Sequence, residues 1–222
     1  MKRTSQSSRS ERPSAVLPFF SLVLMVALVL GVLQVDAKRS SAPEPVVSAR
    51  AERDKYREVK YPTPNIAHGQ VNDVQGVILH HTAEPTVERS LYVLTKGKRK
   101  VGTHVVIDTD GTRYVMAAPH QVTFHAGPSV LAGRDGCNYF TVGIEFQGNT
   151  LEAPLTQHQI DSAIEYLRPI ISRYKIPLAN IVTHEMVRNA YKKKYPRRRC
   201  SGKVDITQAE YTRFMQQLRA KL

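Results

Sequence analysis

The sequence predicts an α/β fold in which a central mixed β-sheet is flanked by helices. Three observations predict it. Short β-branched runs alternate with longer helical periods, but without the strict rhythm of repeated βαβ units. Two β-rich segments, 103–108 and 112–117, flank Thr109-Asp110-Gly111, a good hairpin turn, so at least one antiparallel pair joins the sheet. Two apolar runs, Val77-Ile78-Leu79 and Ile181-Val182-Thr183, each end on a histidine.

The chain divides into 1–14, a basic flank; 15–35, an apolar run; 36–72, a linker or irregular arm; and 73–222, the globular domain. The run from Ala15 to Val35 is almost wholly apolar and follows Lys2, Arg3, Arg9 and Arg12. A positive flank before an apolar stretch is the pattern of a signal anchor or signal peptide. At about 20 residues the run is long enough to span a bilayer as a helix. Val35-Asp36-Ala37 loosely fits a cleavage site, so both fates stay open. Either one delivers the domain to the periplasmic side of an inner membrane, anchored or released. Residues 36–72 are rich in Ser, Pro, Glu, Arg and Lys and show no sustained period, which reads as linker.

Within the domain, 77–79 form a strand leading into His80. Residues 87–94 have helical spacing, with Gly97 suited to the end of that helix. The stretch 140–146 is a further strand. Ile160, Ala163, Ile164, Leu167, Ile170, Ile171 and Tyr174 follow a helical period, Thr156 is a suitable N-cap, and Pro169 is expected to kink that helix or reset its start. Residues 181–183 lead as a strand into His184. Thr207 and Glu210 have capping-box spacing ahead of a last helix whose apolar face is Tyr211, Phe214, Met215 and Leu218.

Lysine and arginine number 32 against 19 acids, a net charge of +13, clustered at the N-terminus, at 96–100 and at 192–199. The balance suits an anionic partner such as nucleic acid, acidic headgroups or a carboxylate-bearing polymer. No nucleic-acid motif accompanies it and the export segment points away from nucleic acid, so none is expected as a partner. Oligomeric state is not written in the sequence. Cys137 and Cys200 are too few for a disulfide scaffold, and could be bridged or unpaired.

His80, His184 and Asp205 stand at strand ends or just before the last helix. A catalytic zinc needs three protein ligands on rigid elements and an open fourth position. Each residue also has a structural explanation, and no HExxH-like motif is present. Glu145 sits in Val142-Gly143-Ile144-Glu145-Phe146, where strand alternation puts an acid among buried neighbours. Burial raises a carboxyl pKa toward the range useful to a general base, and a structural ion pair is the alternative.

Six ordered stretches carry a resemblance: 77–82 (VILHHT), 101–111 (VGTHVVIDTDG), 124–127 (FHAG), 133–148 (GRDGCNYFTVGIEFQG), 182–185 (VTHE) and Lys203-x-Asp205. In this order they are similar to AmpD-like N-acetylmuramoyl-L-alanine amidases, a family that includes phage amidases and peptidoglycan recognition proteins. The resemblance covers roughly 74–222 and implies the mixed sheet with a zinc ion, Zn2+, in a surface groove. It implies His80, His184 and Asp205 as metal ligands, and Glu145 and Lys203 as catalytic. It gives His125 and Asn138 as groove-lining substrate contacts. The implied partner is peptidoglycan or a muropeptide, cut between N-acetylmuramic acid and L-alanine. The alternative is a non-catalytic peptidoglycan-binding module of the same fold. Phe124 stands where the family usually has tryptophan, Ile206-Thr207 follows the aspartate in place of Pro-Gly, and a basic insert at 191–199 lengthens the interval from His184. That interval leaves Cys200 as the alternative third ligand.

Overall fold

Period-two alternation in the apolar runs builds a sheet with two differently dressed faces. In the computed structural model, which describes residues 55–200, 202 and 204–222, the strands are β1 (Glu58–Lys60), β2 (Ile66–Val71), β3 (Gly76–His81), β4 (Val105–Ile107), β5 (Arg113–Val115), β6 (Gln121–Thr123), β7 (Val130–Leu131), β8 (Arg134–Asp135), β9 (Thr141–Phe146) and β10 (Ile181–Thr183). The helices are α1 (Val87–Lys96), α2 (Gln157–Tyr174), α3 (His184–Lys194) and α4 (Gln208–Lys221). The main sheet has the order β1-β5-β4-β9-β3-β10, with two small two-stranded ribbons, β2-β6 and β7-β8, beside it. The β4–β5 pair is antiparallel and the other pairs of the main sheet are parallel, so the expected mixed sheet is what forms.

Strands β3 and β9 are buried at every position, as expected for parallel strands covered on both faces. Val77, Leu79, Val105, Ile107, Val142, Ile144, Phe146 and Ile181 point to one face and pack with Ile160, Ile164, Leu167, Phe214, Met215 and Leu218 of α2 and α4. Each such side chain contributes about 1.5–3 kcal/mol when fully buried. On the opposite face α1 covers Val106 and Met116, while Val187 of α3 packs with Ile78 and Val182. Between these two clusters that face carries Thr141, Gly143 and Glu145 of β9, by alternation with the core residues Val142, Ile144 and Phe146.

The local signals act largely as read. Thr156 makes a full capping box with Gln159, and Thr86 and Thr183 cap α1 and α3. Thr207 caps α4, but Glu210 does not close the reciprocal half of its box; it accepts instead from Leu155 N (3.0 Å) and pairs with Arg213. Proline 169 lies inside α2, which runs on to Tyr174 without a reset; a single missing N–H is tolerated on a helix held by so large an apolar face.

One correction concerns a weakly patterned segment. The stretch 36–72, read as a linker or irregular arm, contains β1 and β2. β1 pairs with β5 through backbone groups, which need no hydrophobic period, and the buried Tyr56 ring rests where a side chain at Gly111 would stand. The basic stretch after His184 is helical to Lys194, although only Val187 and Arg188 of its later residues are buried. Cys137 and Cys200 are both free thiols. The segments 1–14 and 15–35, and Lys203, lie outside the described residues. Among the described residues no helix is long and apolar enough to cross a membrane.

Candidate active site

The carboxyl ends of β3, β9 and β10 lie side by side, with His80 opposite Glu145 and Leu79 opposite Thr183. Ligands and catalytic groups of open α/β sheets gather at this edge. His80 shares its face with Ile78, whereas His81 points to the other side, where Nδ1 meets the Thr150 hydroxyl (3.0 Å) and accepts from Thr150 N (3.1 Å). Thr183 ends β10 and caps α3, so His184 opens the helix beside His80, ring centroids 4.9 Å apart. Asp205 is fully buried; its Oδ1 accepts from His81 N (2.8 Å), which aims Oδ2 at both histidines.

Nδ1 of His184 is 2.8 Å from Asp205 Oδ2, and Nδ1 of His80 is 3.6 Å from the same oxygen. Ligand atoms of the three residues all lie within 4.8 Å of one another. Nε2 of His184 is 3.1 Å from the Ala126 carbonyl, which can only accept, so Nε2 carries the proton in the neutral ring. The Nδ1 lone pair then faces a carboxylate oxygen at hydrogen-bond distance. A proton or a metal ion shared between the two groups would relieve that contact. Two imidazoles and one carboxylate are a donor set that suits zinc, so the residues fit a metal. Cys200 is not among the residues that converge.

Glu145 lies on the same face as His80 and is 8% exposed, and its buried Oε2 has no hydrogen-bond partner among the described residues. A buried carboxylate oxygen without a protein partner points to a use, because leaving it so costs on the order of 1–3 kcal/mol or more. A cavity of about 540 Å³ runs between α1 and α3 and is lined by His80, Glu145, His184, His125 and Asn138, with Arg99 and Lys100 on one wall and Arg188 on the other.

His125 and Asn138 both line the cavity, and each also has a local task that the sequence did not disclose. Nδ1 of His125 is 3.2 Å from Nε2 of His80. Burial, then the neighbouring His80, His104 and His184, hold His125 well below the usual histidine range. Asn138 Oδ1 accepts from the backbone N–H groups of His125 (3.1 Å) and Ala126 (2.7 Å). Behind them His104, wholly buried, donates from Nε2 to the Gln121 carbonyl (2.9 Å) and accepts at Nδ1 from Gly143 N (2.9 Å). Burial pushes its pKa down to about 4, with the Gln121 bond opposing and His120 adding to the drop. Only the stretches VGTH and FHAG hinted at this second tier of histidines.

Comparison with known proteins gives the same frame. The family described as N-acetylmuramoyl-L-alanine amidase matches residues 70–203. The 1,6-anhydro-N-acetylmuramyl-L-alanine amidase AmpD of Haemophilus influenzae is 38% identical over 88 residues, 38% of this chain and 46% of that protein. The N-acetylmuramoyl-L-alanine amidase AmiD of Escherichia coli is 26% identical over 126 residues, 50% of this chain and 45% of that protein. The chain thus spans less than half the length of these curated relatives. Among solved structures, a selenomethionine derivative of AmpD superposes with a TM-score of 0.54 at 19% identity, covering 72% of this chain and 94% of that one. PlyL gives a TM-score of 0.51 at 16% identity, covering 74% and 96%. These two likenesses establish the shared fold.

Proposed function

The chain belongs to the N-acetylmuramoyl-L-alanine amidase family, and from that membership we propose that it hydrolyses the amide joining N-acetylmuramic acid to L-alanine of the peptidoglycan stem peptide, with zinc held by His80, His184 and Asp205. The observation that carries this reading is the convergence of those three residues in one cavity with Glu145, whose buried Oε2 has no partner among the described residues. When bound, zinc supplies a Lewis acid that acidifies water and polarises the scissile carbonyl. Glu145 accepts the proton of the attacking water and delivers it to the departing alanine nitrogen, so the proton count closes within one residue.

Lys203 keeps, as a proposal, the role the resemblance gives it: a fixed cation for the oxyanion that develops on the carbonyl. Arg99 and Lys100 border the cavity and suit the carboxylates of a stem peptide, whereas Arg188 is already paired with Glu185. A binding module without catalysis would be expected to have lost a ligand or the acid, whereas His80, His184, Asp205 and Glu145 are all retained. We infer further that the basic flank and the apolar run at 15–35 deliver the domain to the periplasmic side of the inner membrane, where peptidoglycan lies.

The test is digestion of purified peptidoglycan and of anhydro-muropeptides, with mass analysis of the products. Free stem peptides that begin with L-alanine are expected, and their release should stop with a chelator and return with zinc. Intact substrate at saturating zinc would overturn the reading. Reporter fusions after Leu222 that work only in the cytoplasm would overturn the location.

A further inference from the structure

A metal-ready histidine must present a lone pair, and for His80 the deciding group lies three hydrogen bonds away. The Thr141 hydroxyl has one proton and donates it to the Cys137 carbonyl (2.7 Å), which can only accept. Toward His125 Nε2, 3.3 Å away, the same oxygen is therefore an acceptor, so Nε2 of His125 carries the proton. In the neutral ring Nδ1 of His125 is then an acceptor, and its partner at 3.2 Å, Nε2 of His80, must be the donor. His80 is left with its lone pair on Nδ1, the nitrogen that faces Asp205.

We propose that His125 is a positioning residue that fixes the tautomer of His80, and that Asn138 sets both metal-ligand histidines at once by holding the segment 125–126. The second half follows from the neighbouring bonds. Asn138 Oδ1 binds the N–H of His125, whose ring directs His80, and the N–H of Ala126, whose carbonyl takes the Nε2 proton of His184. One amide oxygen thus anchors the partners of both rings. The second partner of a ligating histidine commonly orients the ring and fixes its tautomer, and its loss costs about 10–100-fold in metal affinity.

This inference rests on the reading of His80 and His184 as zinc ligands, and the experiment separates the two. Histidine nitrogen NMR on the full-length chain, stripped of metal, reads the tautomers directly. His80 and His184 are both expected as the Nε2–H form before any zinc is added. Zinc affinity is then measured by competition with a chromophoric chelator. His125→Leu, which removes the acceptor, should weaken binding about 10–100-fold. His125→Asn puts Oδ1 near the position of Nδ1 and should stay within about threefold of the native affinity, because the acceptor is preserved. An Nδ1–H tautomer at His80 in the native protein would overturn the proposal, even if no variant folded. Equal losses in the two variants, or none in His125→Leu, would also overturn it while leaving the zinc site standing. Expected tautomers in a chain that binds no zinc would instead sink the metal reading alone.

Discussion

Gly143 offers the sharpest single test of how the sheet supports the site. An added Cβ would stand 2.6 Å from Cγ and 2.7 Å from Nδ1 of the His125 ring, and 3.0 Å from the Thr103 hydroxyl. Non-bonded carbons settle at about 3.5–4.0 Å, so Gly143→Ala must drive the ring back by roughly 1 Å. The 3.2 Å bond from His80 to His125 would stretch past the ~3.5 Å at which it ceases to count. Overpacking costs about 1–3 kcal/mol and the lost bond about 1, while replacing glycine in a strand returns only about 0.5–1. The balance is a net loss of roughly 1–3 kcal/mol, a fall in Tm of several degrees for a domain of this size. Zinc affinity should drop about tenfold or more, and turnover about 100-fold from the misplaced ring. Thermal unfolding and chelator competition on the purified variant read both quantities. Native Tm together with native zinc affinity would refute the claim that the bare strand face makes room for His125.

His184→Ala should lose zinc, measured by metal analysis after dialysis, while circular dichroism stays native, because a catalytic site need not hold the domain together. Glu145→Gln should keep zinc yet lower turnover by about 10²–10⁴, since the amide keeps shape but cannot take the proton of water; near-native hydrolysis would make Glu145 a structural acid. His104 is neutral in the folded chain with a pKa of about 4, against 6.5 as the unperturbed value. Only the unfolded chain takes up that proton between these limits, so stability should fall as pH drops from about 6.5 to 4, by about 3 kcal/mol in full, and His104→Gln should flatten the slope seen in denaturant titrations. Burial raises the Cys137 thiol to about 11, so at pH 8 a maleimide should label Cys200 rapidly and Cys137 only on unfolding.

What the sequence determined by itself is local in origin. The strands at 77–79, 140–146 and 181–183, the helix capped by Thr156, the hairpin at 109–111 and the last helix were legible because each depends on period or on a cap within a few residues. The set of His80, His184, Asp205 and Glu145 came from the resemblance carried by the ordered stretches, because each residue taken alone also has a structural explanation. Weakly patterned pieces were missed. β1 is held by ladder bonds to β5, a segment more than fifty residues later, and α3 buries too little surface to print a clear period.

Tertiary structure decided the rest, through contacts between parts of the chain far apart in sequence. The carboxylate of Asp205 is aimed by the backbone of His81, and the register of β3 against β9 puts His80 beside Glu145. The task of His125 depends on a carbonyl at Cys137 and a hydroxyl at Thr141, and that of Asn138 on two backbone N–H groups. No period or motif encodes which atom of an imidazole faces a neighbour. That choice is made only when the sheet has paired and brought each ring nitrogen against its neighbour.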